Sequence, residues 1–202
     1  MFALVEDGSI TKMLSGNRGI TLGSNQYPKA IFTLWSKSER EAIGIYEVVR
    51  DNSKKKDEQW YINTNVSYAF AGGTVTASYG DATAKAHADT LYTADDEDNG
   101  LGTEGEVKTE GLKTVRIRTI KKQAAQELAR TDWYIVRKTD ADTAIPSAIT
   151  NHRAAVRTKC AQMETAITNA SNTAALETLY TYTVQENGSI TRPLGELPTL
   201  EV

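Results

Sequence analysis

The chain has 202 residues, 40% of them hydrophobic and 24% charged, with a formal net charge of −3. This composition fits a globular protein with one or two modest cores, and the single cysteine, Cys160, excludes an internal disulfide. No run of about 18 apolar residues occurs, and the first residues lack the features of a signal peptide. We therefore expect no membrane partner and synthesis in a cytoplasm.

The first residues predict a β-hairpin. Strand-like runs at 2–5 and 9–13 flank Asp7-Gly8, a dipeptide that favours a type I′ turn because both central residues need positive φ angles. Residues 186–194 resemble residues 6–14 at a constant offset of 180, so a second hairpin with an I′-type turn is predicted there. Either the similarity reflects common turn chemistry, or the two ends present equivalent hairpins through which copies stack or add strands to a fibre.

The next segment predicts a short helix and further strands. Ser36 and Glu39 fit a capping box for a helix of one or two turns that Gly44 closes. Strands are expected at 45–49, 59–66, 67–71 and 74–79. The dipeptide Gly-Gly between the last two strands is a hairpin signal. Residues 1–92 are therefore predicted to form a β-rich domain with a short helix.

Residues 93–111 form an acidic segment that we expect to be a linker. Five residues fall at positions 1, 3, 5, 6 and 12 of a calcium-binding loop, namely Asp95, Glu97, Asn99, Gly100 and Glu106. The context does not fit such a loop, because no periodic helix precedes it and Gly102 takes the usually apolar position 8. A flexible, solvated loop without a metal is the expectation.

Charge is distributed unevenly along the chain. Residues 51–110 carry 5 Lys and Arg against 12 Asp and Glu, whereas residues 111–170 carry 11 against 5. This asymmetry favours contacts between opposite charges, within the molecule or with a partner. The cations are spread around helix faces without an aromatic platform or a DNA-binding motif, so nucleic acid is not an expected partner.

Residues 112–180 predict a helical hairpin. Apolar residues repeat at intervals of three and four over 113–130, and a longer helix after Pro146 carries an apolar seam. The seam consists of Ile149, Val156, Cys160, Met163 and Ile167. Between the two helices, Thr131 and Asp132 are placed to cap a short helical segment.

A brief helix at 173–180 and a β-hairpin tail at 181–202 complete the chain. The fold is therefore predicted to be α+β, with a β-rich N-terminal part and a C-terminal helical hairpin. His87 and His152 have no nucleophile motif beside them, and no phosphate-binding or dinucleotide-binding loop occurs. We expect no enzymatic activity, no cofactor and no bound metal.

Two stretches of the chain have a recognisable order of residues. The first is TDWYIVRK at 131–138, followed by AIP at 144–146 and NHRAAVR at 151–157. The second is GITLGSNQYPKAIFTLWSKSEREAIGIYEVV at 19–49. In this order they resemble two modules of tailed-bacteriophage tail proteins, which are labelled tail-fibre assembly or virion structural proteins. The resemblance covers about residues 17–50 and 112–170, less than half of the chain.

The resemblance implies a non-enzymatic protein of the virion tail, made in the host cytoplasm. As a structural adaptor it joins or decorates the receptor-binding fibre at the baseplate. As a tail-fibre assembly chaperone, the alternative, it binds fibre chains during folding and is not retained in the virion. Its partners are then tail-fibre or baseplate proteins, and a homo-oligomer is left open.

Five residues are candidates for contact with that partner. They are the aromatics Trp133 and Tyr134 and three cations expected to be exposed on the long helix, Arg153, Arg157 and Lys159. Aromatic and arginine side chains are enriched among residues that dominate binding energy. The alternative is that the aromatics belong to the core and the cations only face solvent.

Overall fold

The computed structural model describes residues 1–200. Helices make up 36% and strands 24% of the chain, with strands mainly in the first half and helices in the second, which confirms the α+β prediction. Contacts divide the chain into two compact units, Met1–Thr83 and a second that begins at Ala84. This division lies before the domain boundary expected at residue 92, and residues 84–92 belong with the second unit.

The first unit is built mainly of strands. Its elements are β1 (Phe2–Glu6), β2 (Ser9–Leu14), β3 (Ile20–Leu22), β4 (Asn25–Tyr27), α1 (Ile31–Leu34), α2 (Lys37–Glu41), β5 (Ile45–Asp51), β6 (Tyr61–Ile62), β7 (Ser67–Ala71) and β8 (Thr74–Ser78). A short strand, β9 (Thr83–Ala84), spans the division between the units.

A five-stranded sheet in the order β2-β1-β5-β8-β7 organises the first unit. Strands β5 and β8 are parallel, and the other neighbouring pairs are antiparallel. The predicted N-terminal hairpin forms its first two strands, and Asp7 and Gly8 have φ angles of 48° and 77°. Both angles are positive, as a type I′ turn requires.

Side chains of this sheet alternate between two apolar clusters because successive residues of a strand point to opposite faces. One cluster includes residues of α1 and consists of Leu4, Leu14, Ile31, Phe32 and Ile45. The other consists of Ala3, Val5 and Val75. The short helix α2 begins with the predicted capping box, in which Ser36 and Glu39 satisfy each other's backbone N–H groups.

The strand predicted at 59–66 is wrong apart from the two residues of β6. The Asn63 side chain accepts a hydrogen bond from Lys56 N–H and donates one to Lys56 O, both at 2.9 Å. The N–H groups of Trp60 and Tyr61 both donate to Asp57 O, which makes a turn. These local bonds compete with strand pairing and leave only a short extended piece.

The second unit contains the helices. Its elements are β10 (Thr90–Leu91), α3 (Ala94–Asp98), β11 (Val107–Thr109), α4 (Leu112–Ala129), α5 (Asp132–Ala141), α6 (Ser147–Asn169), α7 (Thr173–Tyr180), β12 (Thr183–Val184) and β13 (Ile190–Thr191). Helices α4 and α6 are the main packed pair. The brief helix predicted at 173–180 is confirmed as α7.

The predicted apolar seam of α6 is buried. Its five members have exposed fractions of 0 to 8%, and Ile120 and Ala124 of α4 are also buried. Val156, Cys160 and Ala124 form one cluster between the two helices. Burial raises the pKa of the Cys160 thiol, with a further rise from its contact with Glu164. Cys160 therefore behaves as a small apolar residue of the core.

The acidic segment at 93–111 is ordered, in contrast to the flexible loop we expected. Thr93 caps α3 in a capping box with Asp96, and Lys108 Nζ lies 2.7 Å from the Asp96 carboxylate. Strand β11 pairs with β10 on either side of this helix. The carboxylate of Asp96 therefore serves a structural purpose, and its pKa is lowered mainly by the hydrogen bond from Lys108.

The C-terminal hairpin forms with a different turn from the one predicted. Gly188 has a φ angle of 81°, but Asn187 does not have a positive φ angle. The Gly188 N–H donates to Gln185 O at 2.9 Å, so the turn spans residues 185–188 and ends in a left-handed glycine, which excludes type I′. All four residues of β12 and β13 are exposed, whereas β1 lies inside a sheet. The two hairpins are in unrelated environments, and the hypothesis of equivalent ends is wrong.

The helix pair provides a direct test of core packing. Ile167→Ala removes a side chain with no exposed surface and leaves a cavity, so we expect a loss of about 2–5 kcal/mol in the free energy of unfolding. Thr165→Ala, on the exposed side of the same helix, is the control and should change stability by less than about 0.5 kcal/mol. Urea unfolding checks both, and equal effects would contradict this packing.

Candidate protein-binding surface

Arg153 of α6 is buried and joins α6 to the end of α4 and the start of α5. Its Nη1 lies 2.7 Å from Leu128 O, 2.7 Å from Thr131 Oγ1 and 2.8 Å from Asp132 Oδ1. The residue is only 8% exposed. We call Leu128, Thr131, Asp132 and Arg153 the Arg153 corner. The prediction that Arg153 is an exposed cation is wrong, because its charge is needed to satisfy these oxygens.

Thr131 occupies the predicted position before α5 but does not cap it with its side chain. Its hydroxyl instead donates to Leu128 O at 3.0 Å and accepts from Arg153. Asp132 is the first residue of α5, where a carboxylate interacts favourably with the positive end of the helix dipole. The Arg153 corner therefore fixes where α4 ends and where α5 begins.

Helix α5 leaves large apolar side chains in solvent. None of its ten residues is buried. Trp133, Ile135 and Val136 are 50%, 40% and 66% exposed, and we call these three residues the α5 surface. Trp133 and Val136 are three positions apart and share one face of the helix, and Ile135 lies next to Val136 around it. Exposed apolar groups that lie together commonly mark sites of protein contact. The prediction that Trp133 is available to a partner agrees with this placement.

An arginine organises the aromatic part of α5. The ring centroids of Trp133 and Tyr134 are 3.8 Å apart, and the Arg137 guanidinium lies 4.8 Å and 5.3 Å from them. Tyr134 is half-buried and is thus less available than Trp133. Stacking with a guanidinium restricts ring motion and lowers the entropy that Trp133 would lose on binding.

Sequence reasoning missed Ile135, Val136 and Arg137 as members of this site. The signal was present, because residues 133–136 are four consecutive apolar residues at the start of a helix. Neighbours one and two apart on a helix point in different directions, so such a run cannot all face one core. At least part of it had to be exposed or covered by another chain.

The other two predicted cations are placed differently from each other. Arg157 is exposed on α6, as predicted. Lys159 is half-buried, and its Nζ lies against Gly195, where an added Cβ would clash with it. Within residues 1–200, neither Arg157 nor Lys159 forms an ion pair. The structure does not place either of them in contact with the α5 surface.

Glu127 of α4 forms a second polar centre in this unit. Its carboxylate accepts hydrogen bonds from Arg130 Nη1 at 3.1 Å and from Leu200 N–H at 3.3 Å. His152 Nε2 lies 3.2 Å from Glu127 Oε1 but lacks hydrogen-bond geometry. Burial raises the pKa of Glu127, but these hydrogen bonds outweigh it and leave the pKa below its ordinary value.

No arrangement for metal chemistry is found in the described part of the chain. Within residues 1–200, no three His, Cys, Asp or Glu side chains are grouped so that they could hold a metal ion. Asp95 and Glu97 of the considered calcium loop lie on α3. Across the same residues, no helix has the length and apolar character needed to cross a membrane.

Comparison with known proteins gives no relative. No family model matches the chain, and no curated protein or solved structure is significantly similar to it.

Removing the Arg153 guanidinium tests how much the Arg153 corner contributes to stability. Arg153→Met leaves Leu128 O and Thr131 Oγ1 without their charged donor, so we expect the free energy of unfolding to fall by about 2–3 kcal/mol. Arg157→Met removes an exposed cation from the same helix and should cost less than about 0.5 kcal/mol. Urea unfolding of both variants is the measurement, and similar small losses would show that the corner contributes little.

Acid unfolding tests the Glu127 centre. Because the native pKa of Glu127 lies below its ordinary value of 4.5, its carboxylate stabilises the fold above that pH. This contribution is lost as the pH falls through the lowered native pKa. The stability difference between wild type and Glu127→Gln should therefore shrink from about pH 6 to about pH 3. A difference that stays constant over this range would contradict the assignment.

Proposed function

We propose that this protein is a non-enzymatic tail protein of a tailed bacteriophage, and that it acts by protein–protein contact through the α5 surface. In this role it is a structural adaptor that joins or decorates the receptor-binding fibre at the baseplate. Its partner is a tail-fibre or baseplate protein. The observation that carries the proposal is the exposure of Trp133, Ile135 and Val136 on a helix that the Arg153 corner anchors at its first turn.

Two features support contact rather than catalysis. The α5 surface contains a tryptophan that packs beside Arg137, and tryptophan and arginine are enriched among the residues that dominate binding energy in protein interfaces. The resemblance of 131–138 and 151–157 to phage tail proteins includes both the α5 surface and the residues that anchor it. Arg153 contacts Thr131 and Asp132, so the two parts of the motif come together in one structural feature, the Arg153 corner.

The alternative is a tail-fibre assembly chaperone that leaves before the virion is complete. The same surface suits this role, because a chaperone also covers apolar segments of an unfinished partner. The two functions differ in whether the protein stays in the particle.

Quantitative mass spectrometry of purified particles distinguishes the adaptor from the chaperone. For an adaptor we expect this chain at a fixed stoichiometric ratio to the identified tail proteins. Absence from particles, together with recovery bound to fibre chains from infected cells, would support the chaperone instead. Absence from both preparations would contradict both functions.

Variants of the α5 surface test the contact itself. Trp133→Ser combined with Val136→Ser removes exposed anchors, so affinity for tail-fibre or baseplate proteins should fall at least about tenfold. Val184→Ser combined with Ile190→Ser alters two apolar residues of the C-terminal hairpin that are at least as exposed, and is the matched control. Binding of the purified proteins is measured after circular dichroism confirms the fold. An equal loss in both variants, or in neither, would contradict the proposed surface.

A further inference from the structure

A concave, positively charged site lies in the first unit, and nothing in the proposed function uses it. The segment from β2 through the following loop to β3 borders an open cavity of about 490 Å³. This volume falls within the range of about 300–1,000 Å³ that small-molecule sites occupy. Lys12 and Arg18 line the cavity, and no acidic residue does.

Both cations are available to a ligand. Lys12 and Arg18 are exposed, and within residues 1–200 neither forms an ion pair or a hydrogen bond through its side chain. The hydroxyl of Thr21, which also lines the cavity, is a further donor. In a protein with a net charge of −3, two cations without a counter-ion at one concavity make it locally attractive to anions.

The backbone of the loop adds further donors. Gly16 has a φ angle of 73°, and the preceding residue does not have a positive φ angle. Successive residues of opposite φ sign can direct their N–H groups into one concavity, which is how backbone nests bind anions. Within the described residues, the N–H groups of Gly16, Asn17 and Arg18 donate no hydrogen bond to the protein.

Packing holds this loop in place before any ligand arrives. A Cβ added to Gly16 would lie 3.0 Å from the Phe2 ring, and one added to Gly19 would lie 2.7 Å from Tyr27 O. Leu14, immediately before the loop, is buried in the apolar cluster of the sheet, and Ile20 packs against that cluster. A rigid site loses less entropy on binding than a flexible one.

From these observations we propose that the Lys12–Arg18 site binds the phosphate group of a small phosphomonoester. The guanidinium of Arg18 and the ammonium of Lys12 neutralise the phosphate, and the N–H groups of the loop donate to its oxygens. The rest of the cavity accommodates the group to which the phosphate is attached. This site is independent of the α5 surface, so either proposal stands if the other fails.

Amide chemical shifts of the full chain test the site at constant ionic strength. Titration with glucose 1-phosphate should give saturable shifts at Gly16, Asn17 and Arg18, and inorganic phosphate should shift the same amides with weaker affinity. Glucose alone should not shift them. Shifts that rise linearly without saturation, that map elsewhere, or that glucose reproduces would overturn the proposal.

Charge-removing variants complete the test. Lys12→Gln combined with Arg18→Gln should weaken glucose 1-phosphate binding at least tenfold, which is about 1.4 kcal/mol. Lys29→Gln removes an exposed cation of the same unit outside the cavity and should leave the affinity unchanged. The same spectra verify that each variant is folded. An equal loss in the control and the double variant would mean nonspecific attraction and would contradict the site.

Discussion

The contact of Arg153 with Leu128, Thr131 and Asp132 is the constraint on which the arrangement of the helices depends. A buried guanidinium needs acceptors, and Leu128 O at the end of α4, which also accepts from the Thr131 N–H and hydroxyl, provides one. Arg153 Nη1 donates to this oxygen at 2.7 Å. Because Asp132 opens α5, the same side chain that closes α4 also sets the starting point of the next helix.

This anchoring explains how a ten-residue helix without a buried residue persists. Isolated helices shorter than about 12–15 residues are marginal in water, so α5 depends on what holds its ends. The Arg153 corner holds its first turn, and the stack of Trp133, Tyr134 and Arg137 adds packing along it. The apolar side chains that remain outside are then available to a partner. The Arg153 corner that anchors α5 and the α5 surface that stays exposed therefore depend on each other. Both lie within the segments that resemble phage tail proteins.

The sequence was informative where structure depends on neighbouring residues. Asp7-Gly8, the Ser36 capping box and the apolar seam of α6 act over a few residues, and each formed as predicted. Arg153 was misjudged because its acceptors Asp132, Thr131 and Leu128 lie 21 to 25 positions away, and an arginine on a helix is ordinarily solvated. The strand at 59–66 failed because Asn63 bonds back to Lys56, a competition that residue patterns do not reveal. The Lys12–Arg18 site was also not predicted, because it depends on the path of the loop between β2 and β3.

Hydrogen–deuterium exchange of Arg153→Met against the wild type tests the central claim most directly. If the Arg153 corner holds α5, the amides of α5 lose protection in the variant, whereas those in the middle of α4 and α6 keep it because the apolar seam between them is intact. Unchanged protection of α5, or an equal loss in all three helices, would show that the corner does not position the α5 surface.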